Sequence, residues 1–212
     1  MNLIDPNIQQ YVESLTSVEG DLLKKVAEYT RRRYAGHQML SGHLQGKFLE
    51  MISYMIRPRR ILEIGTFTGY SAICLAKGLT EDGVLHTIEL GEPESAVARG
   101  FFAQSNEAQK IILHTVNALS IIPGLSETWD LVFIDADKPA YIQYFNLVFP
   151  QLRKNGFILA DNIFFYGHAL ESEPKEKSAR GIKEFNDFIK NNSSIEKVVL
   201  TIRDGLYLMN KK

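Results

Sequence analysis

Two short stretches hold the residues best suited to do chemistry. They are Asp135-Ala136-Asp137-Lys138 and Asp161-Asn162, each directly after an apolar run. Asp135, Asp161 and Asn162 offer hard oxygen donors, a set that suits Mg²⁺, Mn²⁺ or Ca²⁺; zinc or copper would want His or Cys, and none is positioned there. Lys138 follows Asp135 by three residues and becomes a base if a neighbouring cation lowers its ammonium pKa. The plainer alternative is a helix-capping Asp135, a turn at Asp161-Asn162 and a surface lysine. Spacing alone leaves both open. Asp137 reads as an acid that holds local structure.

A second group lies earlier. In Glu63-Ile64-Gly65-Thr66-Phe67-Thr68-Gly69-Tyr70-Ser71 an acid ends a short apolar run and two glycines follow. A strand, a glycine turn and a helix in that order open a nucleotide-type α/β site. The spacing Gly65-x-x-x-Gly69 is neither the dinucleotide fingerprint nor a phosphate loop. A carboxylate in a buried strand needs a partner, and a ligand ammonium would supply one for Glu63. Glu89 ends the next apolar run, 24 residues after Gly65. That spacing suits an acid bonding a ribose diol, against the alternative of a strand-end acid facing water.

These residues must be carried by strands whose carboxyl ends share one rim. From Arg59 onward strands and helices alternate. Strands are predicted at 60–65, 84–89, 110–115, 129–135, 156–161, 195–202 and 205–210, and helices at 70–79, 93–105, 117–122, 139–152 and 177–191. Runs such as Leu131-Val132-Phe133-Ile134 fit a parallel sheet covered on both faces. The last two strands are too close for a crossover, so Arg203-Asp204-Gly205 turns a hairpin and leaves one antiparallel strand. Residues 1–58 read as a helical extension, with helices starting at Asp5-Pro6 and after Ser17–Gly20 and a third capped by Ser41. In the third, Leu44, Phe48, Met51, Ile52 and Met55 recur at helical spacing, and Met39 and Met51 are expected in the core. Residues 167–178 form a surface loop long enough to be a lid. One domain, 1–212, is expected, comprising this extension and a core over 59–212.

The 212 residues carry 24 Lys+Arg against 25 Asp+Glu, a formal net charge of −1. That implies no basic face and argues against nucleic-acid binding. The single cysteine, Cys74, permits no intramolecular disulfide and reads as a small buried apolar residue. With no apolar run near membrane-spanning length and no charged-then-apolar leader pattern, a soluble, cytoplasmic protein without membrane contact is expected.

Taken together, these stretches resemble the cation-dependent, S-adenosylmethionine-dependent O-methyltransferases, the group of catechol and caffeoyl-coenzyme A O-methyltransferases. The resemblance runs from about Met39 to Leu208. It is carried by Met39-x-x-Gly42-x-x-Gln45-Gly46, the Glu63–Ser71 loop, Phe133-Ile-Asp135-Ala-Asp137-Lys138-x-x-Tyr141 and Ala160-Asp161-Asn162. It implies a Rossmann-like class I methyltransferase fold, with a seven-stranded, mostly parallel sheet and helices on both faces. It also implies roles. Glu63 would hold the methionine ammonium, with Ser41, Gly65 and Ser71 completing that end. Glu89 would bond the ribose, Phe67 would lie near the sulfonium and Ala118 near the adenine. Asp135, beside the cofactor, would bind the divalent cation with Asp161 and Asn162, and Lys138 would deprotonate a phenolic substrate. Phe164, Phe165 and Tyr166 would either shield the pocket or, as residue-by-residue reading favours, pack the base of the lid, and Asp204 and Arg180 would either face the substrate or belong to a hairpin turn and an exposed helix start. A homodimer follows from the bacterial and plant branch. Asn117 departs from the family's adenine loop, and Val198 stands where catechol O-methyltransferase has an acid. The competing readings are a nicotinamide-dependent oxidoreductase on a similar sheet and an S-adenosylmethionine-binding protein without this activity.

Overall fold

The computed structural model describes residues 5–212. The first four positions of the expected extension, with the reading of that end as leaderless, lie outside this range. Three helices precede the sheet: α1 (Pro6–Leu15), α2 (Asp21–Arg33) and α3 (Gly42–Ile56). The alternating part then runs β1 (Arg60–Ile64), α4 (Tyr70–Ala76), β2 (Val84–Glu89), α5 (Glu92–Phe102), β3 (Ile111–Thr115), α6 (Ala118–Ile121) and β4 (Trp129–Ile134). It continues with α7 (Tyr141–Gln151), β5 (Leu152–Asp161), α8 (Lys177–Lys190), β6 (Ile195–Leu200) and β7 (Leu206–Lys211).

The sheet order is β3-β2-β1-β4-β5-β7-β6. All pairs are parallel except those made by β7, which runs antiparallel to both β5 and β6. This is the predicted hairpin. Both faces are covered. Leu62, Ile64, Val132 and Ile158 pack with α7 and α8, while Ile61, Leu85, Leu131 and Leu159 pack with α2 to α5. Strand order reverses between β1 and β4, the switch point where a doubly wound sheet opens a crevice.

Three expectations are corrected. The helix predicted over 139–152 is a 3₁₀ turn, Lys138–Ala140, followed by α7, and Leu152 already pairs with Trp129 as the start of β5. The register then shifts and Asn155 takes a positive φ, so an irregular stretch precedes the strand expected from 156. Ser41 stands at the N-cap of α3 without a capping side-chain bond, its place being in the wall of a cleft. Finally, α3 does not bury its methionines. Met51 and Met55 are exposed, as is Met39. The buried face is Gln45, Gly46, Leu49, Glu50 and Ser53, packed on α4. Gly46 leaves room for Tyr70 and Cys74, Ser53 donates to the Leu75 carbonyl, and Glu50 is paired by Lys47 and Lys77. Satisfied polar groups let a polar face go inside. Cys74 is buried as expected.

Candidate functional site

A cleft of about 1100 Å³ opens over the carboxyl ends of β1 to β4. Ser41, Gly65, Phe67, Ser71, Glu89, Ala118, Asp135, Lys138 and Asn162 line it. Glu63 and Asp161, the other predicted site residues, lie buried at 0% and 1% exposure, on the strands whose ends form the rim.

Gly65 and Asp135 meet at the switch point. Gly65 donates its N–H to the Ile88 carbonyl, and Asp135 donates its own to that of Ile64. Gly65 has φ +105°, and a Cβ there would stand 1.9 Å from the Asp135 carbonyl oxygen. Only glycine satisfies both the conformation and the approach.

Behind this turn, Thr87 Oγ1 donates to Glu63 Oε2 at 2.5 Å, and Thr66 and Thr87 are joined by a further hydroxyl bond. Glu63 Oε1 is buried and has no hydrogen-bond partner. Burial drives the carboxyl pKa up to about 8, with Asp135 and Glu89 adding repulsion. Ser71 and Thr87 pull it down, but only Thr87 makes a bond of good geometry. A buried, unpaired acceptor beside a cleft suits the N–H donors of a cationic ligand group.

Glu89 is more occupied than the sequence reading implied. Oε2 accepts from Phe67 N–H at 2.7 Å, and Oε1 from Leu90 and Gly91 N–H at 2.9 Å. The carboxylate fixes Phe67 in its left-handed conformation, φ 49°. Two oxygens have about four acceptor positions, so one remains for a ligand hydroxyl. Asn117 caps α6, accepting from Leu119 N–H, and so presents the buried Ala118 to the cleft.

At the far side, Lys138 Nζ donates to Asp135 Oδ1 and Asn162 Oδ1 at 2.7 Å each, and to Tyr141 Oη at 2.9 Å. Burial lowers the ammonium pKa, but Asp135, Tyr141 and Asp161 raise it more, and the net direction is up. In this arrangement Lys138 is a held ammonium. Asp161 is raised, chiefly by burial and then by Asp135, against the attraction of Lys138. Among the described residues no three His, Cys, Asp or Glu side chains gather as a metal site. The oxygens here belong to two acids and an amide. A hard dication fits their chemistry, because one ammonium leaves two adjacent carboxylates incompletely neutralised.

Several contributors had no role assigned from the sequence. Gln45 Nε2 donates to Asp161 Oδ2 at 2.6 Å, and Arg203 reaches Gln45 and the Gln38 carbonyl. Tyr141 joins Lys138 to the Asp161 carbonyl, and its position three past Lys138 was the available signal. Pro6 and Gln9 of α1 also reach the cleft. Phe165, Tyr166 and Asp204 line it, but Phe164 does not and lies against Gly205. Arg180 is elsewhere, donating to the Pro174 and Lys175 carbonyls. No residue of the 167–178 loop lines the cleft in this conformation.

The family model described as O-methyltransferase matches residues 13–212, nearly the whole chain. The chain belongs to the O-methyltransferase family. It is 31% identical over 204 residues to a catechol O-methyltransferase of Niastella koreensis, covering 94% of this chain and 91% of that protein. A probable caffeoyl-CoA O-methyltransferase 1 of Dictyostelium discoideum is 28% identical, covering 90% and 86%. The solved O-methyltransferase TomG of Streptomyces achromogenes, involved in tomaymycin synthesis and bound to SAM, superposes with a TM-score of 0.90 at 29% identity, over 97% of this chain and 96% of that one. The fold is thus the class I methyltransferase fold, and the chain is an enzyme of the O-methyltransferase type. Among the described residues, no helix is long and apolar enough to cross a membrane.

Proposed function

We propose that this O-methyltransferase moves the methyl group of S-adenosylmethionine to one hydroxyl of a vicinal dihydroxyphenyl acceptor, of the catechol or caffeoyl kind, with a divalent cation beside the acceptor. The Lys138 cluster carries the reading: an ammonium bridging Asp135 and Asn162 next to buried Asp161, in the cleft backed by the unpaired Glu63 oxygen. The cleft volume of about 1100 Å³ supports a donor and an acceptor together.

Glu63 Oε1 receives the methionine ammonium of the donor, with Ser41, Gly65 and Ser71 around it. Glu89 uses its remaining acceptor position for a ribose hydroxyl. Ala118 borders the adenine and Phe67 the sulfonium. Asp135, Asp161 and Asn162 would hold Mg²⁺, Mn²⁺ or Ca²⁺, which supplies the Lewis acidity that lowers the pKa of an acceptor hydroxyl. With Asp135 and Asn162 engaged by such a cation, Lys138 would lose partners that raise its pKa, while burial would still lower it. Lys138 then takes the proton of the attacking hydroxyl. The freed oxygen bonds the methyl carbon as the carbon–sulfur bond breaks, and sulfur keeps the electron pair.

A homodimer belongs to this proposal. Ile8, Tyr11, Val12 and Leu15 form an exposed apolar stripe on α1, and Met51, Tyr54 and Met55 are exposed on α3. These surfaces support burial against a second copy. The reaction is tested by mass spectrometry of the acceptor after incubation with S-adenosylmethionine. The expected result is one added methyl on a catechol or caffeoyl compound and none on a monophenol. Equal methylation of the monophenol would overturn the vicinal-diphenol assignment.

A further inference from the structure

We infer that Gln45 and Arg203 are positioning residues that aim Asp161 and tie it to the cleft wall at residues 38–41. The inference rests on the cation reading above. Gln45 is 0% exposed on the inner face of α3, a place for a primary amide only if its ends are bonded. Its Nε2 donates to Asp161 Oδ2 at 2.6 Å, and its Oε1 accepts from Arg203 Nη1 at 3.3 Å. Arg203 Nη2 donates to the Gln38 carbonyl at 2.9 Å. The partners fix the amide's orientation. A carboxylate oxygen facing it can only accept and a guanidinium can only donate, so nitrogen must face Asp161 and oxygen must face Arg203.

Three distant segments meet in this chain of bonds: α3, the end of β5 and the β6–β7 turn. Asp161 Oδ1 accepts from Asn162 N–H at 2.8 Å, so both carboxylate oxygens are held and each keeps acceptor capacity. Arg203 sits at φ 51°, in the left-handed region, within a turn closed by Gly205 N–H to the Ile202 carbonyl. That turn directs the guanidinium back across the cleft rim. Groups that orient a ligating carboxylate without touching the cation commonly change affinity by about 10- to 100-fold. Glu63, Ser71 and Glu89 lie outside this chain of bonds, and of the methyl-donor residues only Ser41 stands near its end at Gln38, so the larger effect falls on the cation.

The test measures Mn²⁺ binding by electron paramagnetic resonance and S-adenosylhomocysteine binding by calorimetry on the full chain. Gln45→Leu is expected to weaken Mn²⁺ about tenfold or more and to change S-adenosylhomocysteine affinity by less than about threefold. Arg203→Met should give a smaller loss, Arg203→Lys should recover part of it, and the double variant should lose little beyond Gln45→Leu, since the Arg203 hydrogen bond reaches Asp161 through Gln45. If Gln45→Leu binds Mn²⁺ like the wild type, or loses both ligands equally, the inference is overturned. If Gln45→Leu does not fold, Arg203→Met decides: wild-type Mn²⁺ affinity overturns it, and a several-fold loss partly recovered by Arg203→Lys supports it. A wild type that takes up no Mn²⁺ overturns the cation reading and the inference with it.

Discussion

Lys138 Nζ and Asn162 Oδ1 stand 2.7 Å apart, across 24 residues of sequence and two adjacent strand ends. The same nitrogen holds Asp135 at an equal distance. A protonated lysine therefore already serves as the counter-ion of the oxygens that would bind a dication. In the proposed mechanism, deprotonation of Lys138 is coupled to another positive charge taking its place.

Lys138→Met keeps most of the side chain's length and removes its charge. Methyl transfer should fall by about 10²- to 10⁴-fold, the usual range for a positioned base. S-Adenosylhomocysteine affinity, read by calorimetry, should change little. A turnover within a few-fold of wild type would remove Lys138 from the chemistry.

Glu63 predicts a pH dependence. Its pKa is raised from 4.5 to about 8 by burial, so between those values the folded chain keeps a proton that the unfolded chain has lost. Stability from this group is therefore lost as pH rises from about 4.5 to 8. Glu63→Gln should flatten that decline in melting temperature and melt higher than wild type at pH 8. It should also weaken S-adenosylmethionine binding about 10- to 100-fold, through loss of a charged hydrogen bond. Wild-type binding near pH 7 should release protons, visible as a calorimetric enthalpy that varies with the buffer's ionisation enthalpy.

Gly65→Ala should damage both fold and function. The added Cβ would fall 1.9 Å from the Asp135 carbonyl at a φ of +105°. Strain of about 2 kcal/mol or more is expected, a fall of roughly 4–8 °C in melting temperature for a chain of this size. A calorimetric scan checks this, and an unchanged midpoint would contradict the close approach.

The apolar stripe of α1 predicts self-association. Tyr11 and Leu15 are exposed at 65% and 70%. Light scattering should give twice the chain mass for the wild type and the single-chain mass for Tyr11→Glu/Leu15→Glu. A monomeric wild type would exclude the dimer.

Much of this architecture was readable because it rests on local pattern. Apolar runs marked the strands, the short connection at Arg203–Gly205 marked the hairpin, and acids after those runs marked the rim. What was not readable depends on contacts made only by folding. Gln45 meets Asp161 across 116 residues and Arg203 across 158, and no local pattern in α3 records either bond. The buried face of α3 was misread for a related reason. Apolar periodicity points to Met51 and Met55, whereas Glu50 and Ser53 go inside because Lys47, Lys77 and the Leu75 carbonyl receive them. Arg180 lies in the first turn of α8, and its guanidinium closes the loop before that helix, away from the cleft.

In the proposed reaction the carboxylates beside Lys138 work with a divalent cation in methyl transfer. The most direct measurement is transfer of labelled methyl from S-adenosylmethionine to catechol, caffeate and caffeoyl-coenzyme A by the purified chain, after EDTA treatment and after return of Mg²⁺ or Mn²⁺. Transfer should be lost on chelation, recover on adding the cation, and fail to recover in Asp161→Ala. Full transfer in EDTA, or undiminished transfer by Asp161→Ala, would contradict that role of the cation.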